Sequence, residues 1–146
     1  MLDQLLDPPF ARTATFHANA KTVGLVLAIL GGIGLLFGLL ALPVVLALAV
    51  FVPLVLLGLI ASLAGAALTG FGGYQMYRED RGGKRWVIYG LVVYLVGIVL
   101  GVLTGSIIEQ IVPLIVLGAV YYVVVTSRFA GEAPVTTQEA PPAPHP

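Results

Sequence analysis

The chain carries no charged side chain from Thr22 to Tyr77. Within that run the apolar stretch Val23 to Thr69, drawn as one helix, measures roughly 70 Å at about 1.5 Å per residue. A bilayer's hydrocarbon core is about 30 Å thick, so the pattern predicts two spans with a turn between them. We place the first span at Val23 to Leu42 and the second at Ala47 to Thr69. The turn falls near Pro43 to Leu46, because proline lacks a backbone donor and favours helix ends. Pro53 offers a rival boundary: as the first residue of the second helix its missing donor costs nothing, and the turn then moves to about Val45 to Val52. A polar loop at 70–85 follows, then a third span at Trp86 to Gly105 and a fourth at about Gln110 to Ser127. The expected architecture is an all-α integral membrane protein, with four transmembrane helices forming two tandem hairpins over residues 22–128.

Two polar segments flank this domain. Residues 1–21 form a leader in which Leu2, Leu5 and Leu6 share one helical face before Pro8 and Pro9 stop the turn, so it suits a membrane surface. Residues 129–146 form a tail rich in proline and alanine, with too little apolar surface to fold alone and expected to be disordered.

Charge placement gives the orientation. Arg12 and Lys21 precede the first span, Arg78, Arg81, Lys84 and Arg85 lie between the second and third, and Arg128 follows the fourth. Under the positive-inside rule both termini and the polar loop are cytoplasmic. Tyr74, Tyr77, Trp86 and Tyr89 cluster at the same boundary, where amphipathic rings settle at headgroup level. The expected location is the prokaryotic cytoplasmic (inner) membrane.

Composition narrows the function classes. Hydrophobic residues make up 59% and charged residues 10%, against roughly 45–50% and about 25% in soluble chains. Net charge is zero, which gives no footprint for nucleic acid. There is no cysteine, which removes disulfide and thiolate chemistry.

The two halves of the domain share short matches: Val52 to Gly58 resembles Val112 to Gly118, and Gly34 to Leu40 resembles Gly97 to Leu103. Duplication of a hairpin produces such matches, and so does low-complexity apolar sequence. Small residues recur at helical spacing in Gly34 and Gly38, in Gly58 and Ser62, and in Gly97, Gly101 and Gly105. In lipid, helices associate through close backbone approach, so these seven are expected at helix contacts, within the bundle or against another subunit.

Candidate chemistry is sparse. His17 and His145 have no second ligand at metal spacing, no nucleophile and base pair stands out, and neither a metal nor a cofactor is expected. Glu109 is the one carboxylate near a span interior, and intramembrane carboxylates mark ion pathways. Arg128 lies about 28 Å further along a helix, which places Glu109 at the outer boundary and favours a turn residue over an ion-coupling site. Arg78, Arg81, Lys84 and Arg85 mix with Glu79 and Asp80 in a loop that either fixes topology or docks a cytoplasmic partner.

Gly24, Gly31, Gly34 and Gly38 ending at Pro43, a second apolar helix, and then Gly83-Lys84-Arg85-Trp86 opening a further glycine-rich span resemble the repeated hairpins of the HdeD-type acid-resistance membrane proteins. The resemblance covers Thr22 to about Gly105. Members typically have six spans where this chain has four. It implies a small multi-span, stress-related membrane protein and brings no catalytic residue with it.

The spans offer little polar lining, with Ser62, Thr69, Tyr94 and Thr104 as scattered hydroxyls. Channels and carriers need polar groups along an interior path. The sequence therefore favours a non-catalytic accessory, scaffold or assembly subunit, surrounded by lipid and by other membrane subunits or copies of itself. The alternative is a small channel or ion-coupled carrier using Glu109.

Overall fold

The structure, a computed structural model, describes residue 8 and residues 18–50, 52–105 and 107–130, without the side chains of Thr104 and Glu109. The described chain is helical: α1 is Ala20–Ala49, α2 Pro53–Tyr77, α3 Gly83–Thr104 and α4 Ile107–Thr126. No strand forms among the described residues. The first three helices are long and apolar enough to cross a membrane, and α4 adds a shorter apolar stretch, Gln110–Thr126.

Helix ends follow local chemistry. Asn19 caps α1, its side chain accepting from the Lys21 N–H at 2.9 Å. Pro43 lies inside α1, so the turn expected at Pro43 to Leu46 does not form there. Proline within a membrane helix is tolerated because local adjustments and neighbouring groups re-satisfy the freed carbonyl. The chain turns instead just before Pro53, which opens α2 where a missing N–H is harmless. The rival boundary is the one taken, with a shorter turn. At 30 residues, α1 measures about 45 Å and exceeds the hydrocarbon thickness, which calls for tilt or protrusion.

The polar loop is also shorter than its composition suggests. α2 continues to Tyr77 and α3 begins at Gly83, leaving 78–82 in place of 70–85. Gly70, Gly72, Gly73 and Gly83 read as breakers in sequence, yet each lies against a neighbouring helix. α2 stops in a Schellman turn: the Glu79 N–H donates to Met76 O at 3.0 Å and the Asp80 N–H to Gln75 O at 2.9 Å. Glu79 sits at φ 65°, in the left-handed region where glycine is usual. Asp80 then closes the loop, its Oδ1 accepting from the Gly82 N–H at 2.8 Å.

α2 is the central helix, packed along α1 on one side and α3 on the other, while α4 leans on α3 and barely touches α1. The contacts are made by glycines seven residues apart. Seven residues fall just short of two helical turns and keep one stripe facing a partner. α2 offers Gly58, Gly65 and Gly72, and antiparallel α3 answers with Gly97, Gly90 and Gly83. A methyl group on Gly72 would lie 2.8 Å from Gly83 O, one on Gly90 2.9 Å from Gly65 O, and one on Gly97 3.6 Å from Gly58 O. The two backbones therefore separate with distance from the charged loop. α1 uses the same spacing at Gly24, Gly31 and Gly38. A methyl on Gly24 would lie 2.6 Å from Gly73 O, and one on Gly31 2.5 Å from Gly70 Cα.

The buried cluster occupies the charged end: Ala20, Val23, Leu27, Met76, Val87, Leu91, Val124 and Phe129. At the other end large apolar side chains are open, Val50 at 78% and Ile108 at 76% exposure. The apolar exterior and the helix lengths are those of an all-α membrane protein.

Candidate functional site

Two features of the bundle stand out among the described residues: a tied charged end and an open seam between α1 and α4. The tie starts from backbone groups. The Ala20 N–H donates to Arg128 O at 2.8 Å and the Arg128 N–H to Ala18 O at 3.0 Å, an isolated parallel bridge between Asn19 and Arg128. Lys84, in the first turn of α3, reaches across and donates through Nζ to Ser127 O at 2.5 Å, with its ammonium 5.2 Å from the Phe129 ring. Thr126 and Ser127 are buried; their hydroxyls donate back to Tyr122 O and Val124 O, at 2.8 and 2.7 Å. Buried polar groups at a helix end are thereby satisfied without water.

The loop belongs to the same layer. Lys21 Nζ lies 3.7 Å from Glu79 Oε1 and 5.7 Å from the Tyr77 ring. Both ionic groups are half exposed, so the pair adds little stability. Arg78 stacks over Tyr74 at 5.9 Å. Trp86 meets Phe71 and Tyr89 edge to face, with centroids 5.7 and 6.2 Å apart, forming an aromatic rim suited to headgroup level. Of the four loop cations, Lys84 is turned to α4, Arg78 to an aromatic ring, and Arg81 and Arg85 are exposed.

The small residues expected at contacts divide. Gly38 sits under Leu63, where a methyl would lie 2.5 Å from Cδ2, and Gly34 is in ordinary contact with Ala66. Ser62 donates to Gly58 O at 2.9 Å and lies beside Gly97. Gly101 faces the Gln110 side chain of α4, while a methyl on Gly105 would meet only Gly101 O within 4 Å. No neighbour lies within 4 Å of a methyl on Gly58, although its carbonyl faces Gly97. The positions tightest against a neighbouring backbone, Gly24, Gly31, Gly65, Gly72, Gly73, Gly83 and Gly90, lie outside the spacing-of-four pattern; the seven-residue recurrence in the sequence signals most of them.

Glu109 stands in the first turn of α4, and its side chain lies outside the described residues, as do Arg12, His17 and His145. Among the described residues no group of three His, Asp or Glu side chains could hold a metal ion. Two interior polar atoms, Thr69 Oγ1 and Gln75 Oε1, are buried without a hydrogen-bond partner among the described residues. Thr69 sits against Gly90 at the α2–α3 contact.

The seam between α1 and α4 is an apolar groove of about 290 Å³, with Val23, Val26 and Leu30 on one wall and Val120 and Val123 on the other. Thr22 lies at its charged-end mouth. No protein-family model, curated protein or solved structure matches this chain, and the HdeD-type resemblance rests on the residues quoted for it.

Proposed function

We propose that the chain is a small non-catalytic membrane protein of four transmembrane helices, two tandem hairpins with both termini cytoplasmic, serving as an accessory or scaffold subunit of a larger membrane complex. The observation that carries this reading is the exposure of α4. It is fastened at its charged end, while Ile107, Ile108, Val112 and Ile115 on its other half are each at least 65% exposed. A span that shares so little surface with its own bundle leaves faces for neighbouring helices, which in lipid associate by packing alone.

The distribution of polar groups supports the same reading over transport. The described charged side chains gather at one end, and α1 and α3 each close on α2 through backbone contacts. That arrangement leaves little room for a polar path between them. Glu109 belongs to the first turn of α4, and an acidic residue near a helix start is favoured by the positive end of the dipole.

Purification in mild detergent followed by native mass spectrometry tests the proposal. We expect defined membrane subunits to co-purify at fixed stoichiometry. A self-contained oligomer that conducts ions in liposomes would replace it with the ion-coupled carrier.

A further inference from the structure

We propose that the α1–α4 seam seats one acyl chain of an anionic phospholipid, with the lipid phosphate held at the start of α1. The groove's depth is the first argument. Thr22 to Leu30 rises about 12 Å at about 1.5 Å per residue, close to the roughly 15 Å of one leaflet, half of a core about 30 Å thick. A partner's transmembrane helix needs a surface running the whole core. A hydrocarbon chain from one leaflet needs only this depth, and walls of valine and leucine suit it.

The mouth supplies the charge complementarity. Of the first four amides of α1, that of Ala20 is bonded to Arg128 O, that of Lys21 to Asn19 Oδ1 and that of Val23 to Asn19 O. The Thr22 N–H has no acceptor among the described residues, and the exposed Thr22 side chain lines the groove at the same level. This is the positive end of a helix of 30 residues, which favours phosphate. Arg128 is fixed beside it by the backbone bridge to Ala18 and Ala20. Its half-buried side chain has no ion pair among the described residues. Lys21 is turned to Glu79 and Tyr77 on α2 and Lys84 to Ser127 O and the Phe129 ring, which leaves Arg128 as the cation here without an ion pair among the described residues. An acyl chain in the groove therefore brings its headgroup to the start of α1, beside Thr22 and close to Arg128, whose backbone is bonded to Ala18 and Ala20. The site is independent of the scaffold role.

The test uses the full chain in detergent with equal amounts of phosphatidylglycerol and phosphatidylcholine of identical acyl chains, read by native mass spectrometry. Preferential retention of one phosphatidylglycerol is expected. Arg128→Gln should lower that preference about fivefold, the effect of one basic group at a membrane surface, while Arg128→Lys keeps most of it. Val123→Phe, which fills the groove, should reduce retention of both lipids. Equal retention of the two lipids by the native chain overturns the proposal. So does a preference unchanged in Arg128→Gln, or displacement of the bound lipid by millimolar inorganic phosphate, which would mark a soluble-anion site.

Discussion

Gly72 of α2 and Gly83 of α3 meet backbone to backbone: a methyl group on Gly83 would lie 2.6 Å from the carbonyl oxygen of Gly72. The two nearest atoms at each position are a main-chain nitrogen and a main-chain oxygen, so a side-chain shift alone cannot relieve the contact. Gly83→Ala should cost about 1–3 kcal/mol, the range for overpacking. Gly118→Ala, with nothing within 4 Å of the added carbon, should be neutral or favourable, because alanine suits a helix better than glycine. Thermal unfolding in detergent measures both, and equal tolerance would show that the close approach is not the source of stability.

Lys84 holds α4 to the rest of the bundle by its bond to Ser127 O. Lys84→Met keeps the aliphatic stem and removes the charge-assisted bond, so it should cost about 1.5–3 kcal/mol. The loss should be local: amide exchange should rise at residues 124–129 and stay unchanged along α2. Uniform loosening of the whole bundle would deny the tie its special place.

Glu79 occupies the left-handed region at the end of α2. A non-glycine residue there costs of order 1–3 kcal/mol, and its exposed pair with Lys21 returns little. Glu79→Gly should therefore raise stability by about 0.5–1 kcal/mol, after the greater freedom that glycine gives the unfolded chain. A drop in melting temperature would mean that the pair with Lys21 outweighs the backbone strain.

Orientation is tested by cysteine labelling, for which the cysteine-free chain needs no background removal. A cysteine at exposed Arg81 should resist an impermeant thiol reagent in intact cells, and one at exposed Gly105 should react. The reverse pattern would invert the topology.

Glu109→Gln separates the two functional readings. A residue at a solvated helix start can lose its charge without consequence, so expression and assembly should persist. An ion-coupling carboxylate cannot. Ion flux that is present in the native chain and absent in a normally assembled Glu109→Gln protein would establish the carrier.

The helices and their apolar character were legible because a long charge-free run admits few structures in lipid. The turn at Pro43 was misread: proline marks helix ends in water, yet α1 carries Pro43 in its interior and α4 carries Pro113. The glycines at 70, 72, 73 and 83 looked like a loop because glycine breaks helices by local preference, whereas here close packing decides. The pairing of glycines was legible in principle, through positions 24, 31 and 38, then 58, 65 and 72, then 83, 90 and 97. Spacing of four drew attention to Gly101 and Gly105 instead. The bond between Lys84 and Ser127, and the groove beside it, join segments remote in sequence, and no local pattern encodes such a meeting.

The bridge joining Ala18 and Ala20 to Arg128 links the start of α1 to a residue two positions past the end of α4. During synthesis the α1–α2–α3 unit can assemble as its glycine stripes emerge, but this bridge must wait until the ribosome has released the fourth helix. Until then the opening of α1 keeps an unsatisfied amide at Ala20, and the seam stands empty. Closure of the charged end is thus the last step that chain order allows: a chain cut before Arg128 would lack the backbone tie between α4 and the start of α1.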